Sequence, residues 1–504
     1  MHRKIPATMA TQHPDNANAP YWKKGSAFIN SADELRECYL NFDDLGCQEY
    51  MWDWEGKYVD EGIVDKLLKE YYDFFRRKPL GKERFLTLRI PRMDDRRNYP
   101  RIARAFMTLM TAEDLAAELG MKHMPVFEII LPFTREARTL VKLQKKFALA
   151  TKFKKQVFTS SKAPGGDIQT IPLIEDVNNL VGSRKILEQY VRLHKKAFGR
   201  KPAHIRPFIA RSDPALNAGM IPATIAAKAA LSQYRGFAAE SGVGIYPIIG
   251  TGSNPFRGNL RPNNLGRFMK EYAGVRTVTV QSAFRYDYPR GMVRNAVKKL
   301  NEGLRKGKAM AFDKQDVKNV RELNQVFARH YFETVLQIAP DINAVSRFVP
   351  PRRERLTHTE RFGYGRKIGR HLMPRVIPFC AALYSLGVPP ELIGTGRGLL
   401  EAEKRGLLDW LEEKYLFLAQ DLREAGSYLN RENLESLAGR GRGWRKIIED
   451  VEGIEGTLAL NLGPAKTEHF LHRNLTGNIL LKWGAGKPLT EEIEETARIR
   501  QVLG

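Results

Sequence analysis

Two carboxylates in this chain stand where short apolar runs give way to polar residues. Glu175 follows Ile168 to Ile174, and Asp213 follows Ile205 to Ala210 with Arg211 and Ser212 between. An all-oxygen pair of this kind suits a hard divalent cation, magnesium or manganese, with water and substrate completing the shell. Asp213 has a second reading, as a cap on the turn or helix ahead of Pro214. Arginines follow other runs: Arg89 after Phe85 to Leu88, Arg257 in the loop Gly250 to Gly258 after Gly244 to Ile249, and Arg285 beyond Thr277 to Val280, behind Gln281. Guanidinium groups grip phosphate and carboxylate in fork geometry, so a metal beside several of them favours a substrate bearing both groups. The loop opened by Gly250 and Gly252 either brings backbone N–H groups to an anion or is a turn and nothing more. No His-Glu-x-x-His motif and no Cys/His cluster offers a zinc site, and His469 with His472 has the spacing of a helix face.

These residues need a scaffold that gathers strand ends. Three more runs complete the set: Ile5 to Thr11, ending in Gln12-His13-Pro14-Asp15; Gln48 to Trp52, ending in Asp53-Trp54-Glu55-Gly56-Lys57; and Pro125 to Leu131, carrying Glu128. Helical periodicity follows, as in Ile63, Val64, Leu67, Leu68, Tyr71 and Phe75 after Asp60. The runs begin about 30 to 45 residues apart, the length of a strand, a helix and two loops. Eight such units predict a TIM-type (β/α)8 barrel over residues 1–290, with the polar strand ends at its C-terminal mouth. An open doubly wound sheet is the alternative, but it concentrates its site at one switch point, whereas charges here follow nearly every run. The stretch Ile205 to Ala210 carries Pro207, which suits a bent strand, and Asn217, Ala218 and Gly219 lead into a helix expected to run to about Tyr234. From Gly291 the periodicity is helical, with helices expected over Arg321 to Gln337, Gly365 to Leu386, Gly398 to Glu424 and Leu434 to Val451. Residues 291–504 are therefore expected to form a large helical region packed on the barrel.

With 504 residues, 43% of them hydrophobic, the chain can bury a large core. No apolar run has the length of a membrane span and Met-His-Arg-Lys-Ile-Pro lacks a signal-peptide core, so the expectation is a soluble, cytoplasmic protein without a membrane partner. Cys38, Cys47 and Cys380 form no CxxC pair, in keeping with a reducing compartment. The net charge of +25 asks for an anionic partner. Because Lys and Arg are spread along the chain without a basic tail, a pocket for small anions competes with nucleic acid as the explanation.

Taken together and in order, Thr11-Gln12-His13-Pro14-Asp15, Met51 to Lys57, Ile171-Pro172-Leu173-Ile174-Glu175, Arg211-Ser212-Asp213, Gly250 to Gly258 and Gln281 to Tyr286 resemble phosphoenolpyruvate carboxylase of the short, archaeal type. The resemblance runs from His13 to at least Gly396. It implies irreversible carboxylation of phosphoenolpyruvate by bicarbonate to oxaloacetate and phosphate, through carboxyphosphate and the enolate of pyruvate, with magnesium or manganese at Glu175 and Asp213. It also implies a homotetramer and no specific nucleic-acid partner. By position, His13 matches the histidine of the carboxylation half-reaction, Arg257 the arginine of the glycine-rich loop, and Arg89 a phosphate-binding arginine, with Arg92 its fallback. Ser346-Arg347 and Arg375-Val376-Ile377-Pro378-Phe379 match two further segments, which brings Arg347 and Arg375 to the pocket as catalytic arginines. Arg285, Gln281, Gly250, Gly252 and Arg211 are then expected around the substrate. Ile249, Thr251 and Leu216 replace a His, an Arg and a Lys of the long enzymes, as a subtype difference. The nearer rival is a magnesium-dependent aldolase or citrate-lyase-like enzyme on the same kind of barrel. That lyase needs neither His13 nor the helical half; a basic nucleic-acid-binding protein is the more distant rival.

Overall fold

The computed structural model describes residues 4–57, 59–121, 123–158, 167–355, 366–368 and 371–504. Eight parallel strands close into a barrel: β1 (Thr8–Thr11), β2 (Glu49–Asp53), β3 (Phe85–Arg89), β4 (Glu128–Leu131), β5 (Gln169–Ile174), β6 (Phe208–Ala210), β7 (Ile248–Gly250) and β8 (Thr277–Val280). Neighbours in sequence are neighbours in space, and β8 returns to β1 with Met9 opposite Thr279. All eight lie within or one residue beyond the apolar runs. Met9, Met51, Ile130, Ile171, Leu173, Phe208, Ala210 and Ile248 fill the barrel interior. The opposite strand faces pack on the surrounding helices, as the two-residue alternation of a strand requires.

Proline divides two of the runs. Pro207 separates the pair His204–Ile205 from β6, and Pro247 separates Gly244–Ile245 from β7. Each lacks the N–H that would continue the ladder, so the two leading pieces form their own parallel pair outside the barrel. Between them Arg206 turns inward to close the N-terminal end of the barrel. Its guanidinium donates to Glu49 at 2.9 and 2.6 Å, to Glu128 at 2.5 Å and to the Thr277 hydroxyl at 3.1 Å. This accounts for Glu128 inside an apolar run. Replacing Arg206 by Met is expected to leave two buried carboxylates facing each other and to cost about 3–5 kcal/mol, measured as a lowered urea midpoint.

The helical expectations misplaced helix ends, in both directions. The helix expected beyond Asn217-Ala218-Gly219 as far as Tyr234 is Met220–Ser241, seven residues longer, and a short helix, Ser212–Ala218, precedes it, parted from it at Gly219 in a positive-φ conformation. The helix expected over Arg321 to Gln337 is longer at both ends, Lys314–Ser346 with 33 residues, and is opened by an Asp313/Asp316 capping box. Gly365 to Leu386 is not one helix. An antiparallel pair, Arg366–Ile368 with His371–Met373, precedes helix Val376–Ser385, and residue 365 lies outside the described residues. Gly398 to Glu424 is three helices, Thr395–Lys404, Leu408–Lys414 and Leu418–Gly426, the first break falling at Gly406 with φ 67°. Leu434 to Val451 divides at Gly439-Arg440-Gly441 into Arg431–Ala438 and Arg442–Leu458. Glycine ends helices without the steric cost other residues meet there, and hydrophobic periodicity alone does not register it. Among the described residues no single helix is long and apolar enough to cross a membrane.

Candidate active site

The C-terminal ends of the strands carry the charges. At the end of β3 Arg89 donates to both carboxylate oxygens of Asp53, the last residue of β2, at 2.8 and 2.5 Å, and lies 3.6 Å from Glu55. Burial alone would raise the Asp53 carboxyl, but Arg89 outweighs it and holds Asp53 well below the ordinary carboxylate range. Glu55 has the opposite balance. Burial raises its carboxyl, the Asp53 and Asp213 charges add to the rise, and Arg89 with Arg375 offsets only part of it.

Glu175 follows β5 and is 7% exposed. It accepts the Phe133 N–H at 2.7 Å, and Phe133 occupies a left-handed conformation with φ 52°. A bulky residue pays strain for that geometry, which here aims an N–H at a strand-end carboxylate. Asp213, half-buried, sits in the first turn of helix Ser212–Ala218. The electrostatic neighbours tie these groups to one mouth: Glu175 acts on Arg89, and Asp213 acts on Glu55 and Arg375. Among the described residues no three His, Cys, Asp or Glu side chains form a metal cage. A divalent cation held here would take few protein oxygens and complete its shell with water and substrate, as magnesium does, and the carboxylate crowding around Glu55 fits such a cation.

His13, half-buried just beyond β1, has its Nδ1 2.8 Å from the Thr11 hydroxyl, which leaves Nε2 for chemistry. Burial pushes its imidazolium form well below the ordinary histidine range, with Arg89, Arg257 and Arg355 adding to the effect and Asp53 opposing it. Arg375, at the N-terminus of helix Val376–Ser385, is lowered first by burial, and Glu55 and Asp53 face it.

Arg257 is fully buried and held on four sides. Its Nε donates to Ser212 at 3.2 Å, Nη1 to Asp15 at 3.0 Å and to the Gly504 carbonyl oxygen at 2.5 Å, and Nη2 to the Gln281 side chain. Of the two readings of the loop, the backbone around Gly252 favours the turn, because the Thr251 N–H donates to Thr279 and the Gly252 N–H to the Arg257 carbonyl. Both glycines serve packing instead. A Cβ at Gly252 would lie 2.6 Å from the Arg257 guanidinium carbon, and one at Gly250 would lie 2.9 Å from the Phe208 ring. Glu391, from the helical region, accepts the Phe256 N–H at 2.8 Å and clamps the loop from outside. Gly252→Ala is therefore expected to displace Arg257 and lower kcat about 100-fold with the fold retained, checked by steady-state kinetics beside circular dichroism.

Three expected arginines are placed elsewhere. Arg211 is buried among the helices, donating to Tyr272 at 3.0 Å and Thr224 at 2.9 Å. Arg285 is buried below the mouth, donating to the Thr11 carbonyl at 2.7 Å and to Glu37 at 3.2 Å. Arg347 stands exposed at the end of the long helix. Arg92 pairs with Asp94 at 2.5 Å and lies over the Phe133 ring at 4.3 Å. Gln281 does reach the centre, as a holder of Arg257.

Arg355 is the arginine that sequence reasoning missed. Burial and then the like charge of Arg375 press its guanidinium down to about 9, with Asp53 opposing. Its segment is carried in by Arg352, which donates to the Asn16 carbonyl at 2.9 Å, and by Arg353, which forks onto Glu37 at 2.9 and 2.8 Å. Pro-Pro-Arg-Arg-Glu-Arg looks like a basic surface run; only the two carboxylates of helix Asp33–Asp43 that pair with Arg353, Glu34 and Glu37, could have signalled otherwise.

A parallel eight-stranded barrel whose C-terminal mouth gathers strand-end carboxylates, a neutral histidine and several guanidinium groups defines an enzyme acting on a small, multiply charged anion. Comparison with known proteins names the family. Residues 5–504 match the family model described as phosphoenolpyruvate carboxylase. Phosphoenolpyruvate carboxylase of Leuconostoc mesenteroides is 36% identical over 504 residues, covering 100% of this chain and 99% of that protein. The Metallosphaera sedula enzyme of the same name is 36% identical with full coverage of both chains, and that of Methanothermobacter thermautotrophicus 41% identical over 85% of this chain and 88% of its own. The chain belongs to the phosphoenolpyruvate carboxylase family, in its short, archaeal type.

Proposed function

We propose that the chain carboxylates phosphoenolpyruvate with bicarbonate, giving oxaloacetate and phosphate by way of carboxyphosphate and the enolate of pyruvate. The observation that carries this reading is the convergence on one barrel mouth of Glu175, Asp213, Arg89, Arg355, Arg375 and the neutral His13 ring. Glu175 and Asp213 are the residues that would hold the divalent metal, which when bound would supply Lewis-acid stabilisation of developing oxyanions. Arg89, Arg355 and Arg375 bind the phosphate and carboxylate of the substrate and offset charge as it moves between phosphoryl and enolate oxygens. His13 accepts the carboxyphosphate proton at Nε2, and Arg257 acts from the glycine-rich loop behind it. Arg347 has no part in this scheme, and Arg355 takes its place.

The test is oxaloacetate formation from phosphoenolpyruvate and bicarbonate, coupled to malate dehydrogenase, with metal-stripped protein resupplied with magnesium or manganese. Metal-dependent turnover is the expected result. A folded protein that is silent with either metal but cleaves a 2-oxo acid would establish the lyase instead, and tight, steeply salt-dependent DNA binding would revive the nucleic-acid reading. A homotetramer in the cytoplasm completes the proposal, with light scattering and cell fractionation as its checks.

A further inference from the structure

The His13-Pro14-Asp15 segment contains a residue to which the reaction above assigns nothing. Asp15 is fully buried, and both its carboxylate oxygens are engaged by protein donors. Oδ1 accepts the Ala283 N–H at 2.8 Å, just beyond β8, and Oδ2 pairs with Arg257 Nη1 at 3.0 Å. Its carbonyl accepts the Leu503 N–H at 2.7 Å, and Gly504, the residue after it, supplies the other acceptor on Arg257 Nη1. One side chain therefore joins the chain leaving β1, the loop after β7 and the helix after β8. A guanidinium has five N–H donors, and four are committed to Ser212, Asp15, Gly504 and Gln281. The direction left to the fifth is set by these partners, and Asp15 is the only carboxylate side chain among them. On its other side, Pro14 with its fixed φ separates Asp15 from His13, so an anchored Asp15 also restrains the backbone that carries the imidazole.

We infer that Asp15 is a positioning residue for both reacting groups, Arg257 through its carboxylate and His13 through the proline between them. The inference rests on the carboxylation proposed above. Asp15→Asn keeps an oxygen for the Ala283 N–H but loses the charge and presents an amide to Arg257. In the full-length protein it is expected to lower kcat on the order of 100-fold, with KM for phosphoenolpyruvate within about threefold of the parent, because alignment rather than ground-state binding is lost. A double-mutant cycle with Arg257→Gln separates this from a merely structural role. The double variant is expected to be within about fivefold of Arg257→Gln alone, since the second change removes a partner already lost. Should Asp15→Asn not fold, the double variant, neutral as a pair, is expected to fold; a double variant that also fails overturns the inference. So does an Asp15→Asn enzyme with parental kcat, or losses that multiply in full. A parent without carboxylase activity sinks the reaction itself and this inference with it, whereas a fully active Asp15→Asn on an active parent sinks the inference alone.

Discussion

Glu175→Gln and Asp213→Asn are each expected to lower kcat by on the order of 10³-fold or more while the protein stays folded, with excess magnesium recovering little of the loss. The substitutions are nearly isosteric. A glutamine at 175 still offers an oxygen to the Phe133 N–H, so the strained turn after β4 keeps its bond and the change falls on charge alone. At 213 the helix Ser212–Ala218 loses one first-turn acidic residue, worth only about 0.3–1 kcal/mol. A magnesium titration of parent and variants, read first as the concentration giving half-maximal activity and then as the plateau, is the check. Variants that reach the parental plateau at ordinary magnesium would remove both carboxylates from the metal site.

The legible part of this chain was its barrel, and the reason is physical. A buried parallel strand must be an apolar run, its end must turn polar where it meets solvent or site, and the helix that follows must show its own period. Ile168 to Ile174 followed by Glu175-Asp176 is such a signal in full, and β5 lies there. What stayed hidden was the partner of each arginine. Arg206, Arg211, Arg257 and Arg285 are all fully buried, yet in the sequence they differ in nothing from arginines on the surface or in the pocket. Arg211 is held by the Tyr272 and Thr224 hydroxyls, and the carboxylates of the other three come from far along the chain: Glu49 lies 157 residues from Arg206, Asp15 242 from Arg257, and Glu37 248 from Arg285. A strand-end position brings an arginine near the mouth without saying whether it faces substrate or the layer beneath.

The exchange of Arg347 for Arg355 in the proposed site has the same origin. A short Ser-Arg match selected the end of the long helix, whereas the fold carries the chain a few residues further, over the N-terminal loop, before an arginine can enter. Arg353 is the pivot. It spans Glu34 and Glu37, and together with Arg285 it outweighs the burial that would otherwise raise Glu37, bringing that carboxyl down to about 2. An ion pair this buried adds little net stability over an apolar substitute, but it fixes where the next two residues go.

His13→Asn is expected to lower kcat by roughly 10²–10⁴-fold, the range for removing a positioned general base. Burial, Arg89, Arg257 and Arg355 all disfavour the imidazolium, so the parent keeps a neutral ring through and below the ordinary histidine range near 6.5. The acid limb of its kcat/KM profile in His13 is thus expected well below that value. Arg89→Met removes the largest charge opposing protonation and frees Asp53 to favour it, which moves the limb upward toward about 6.5, whatever happens to the absolute rate. The same shift has a stability consequence of definite sign. Because the folded pKa lies below the unfolded one, the unfolded chain binds a proton that the folded site refuses. The stability tied to the neutral ring is whole above about 6.5 and is lost as pH falls from there toward the folded pKa. Parent and His13→Asn should therefore converge in urea midpoint on acidification through that window. An acid limb that stays at 6.5 in the parent and does not move in Arg89→Met would mean that another group accepts the proton.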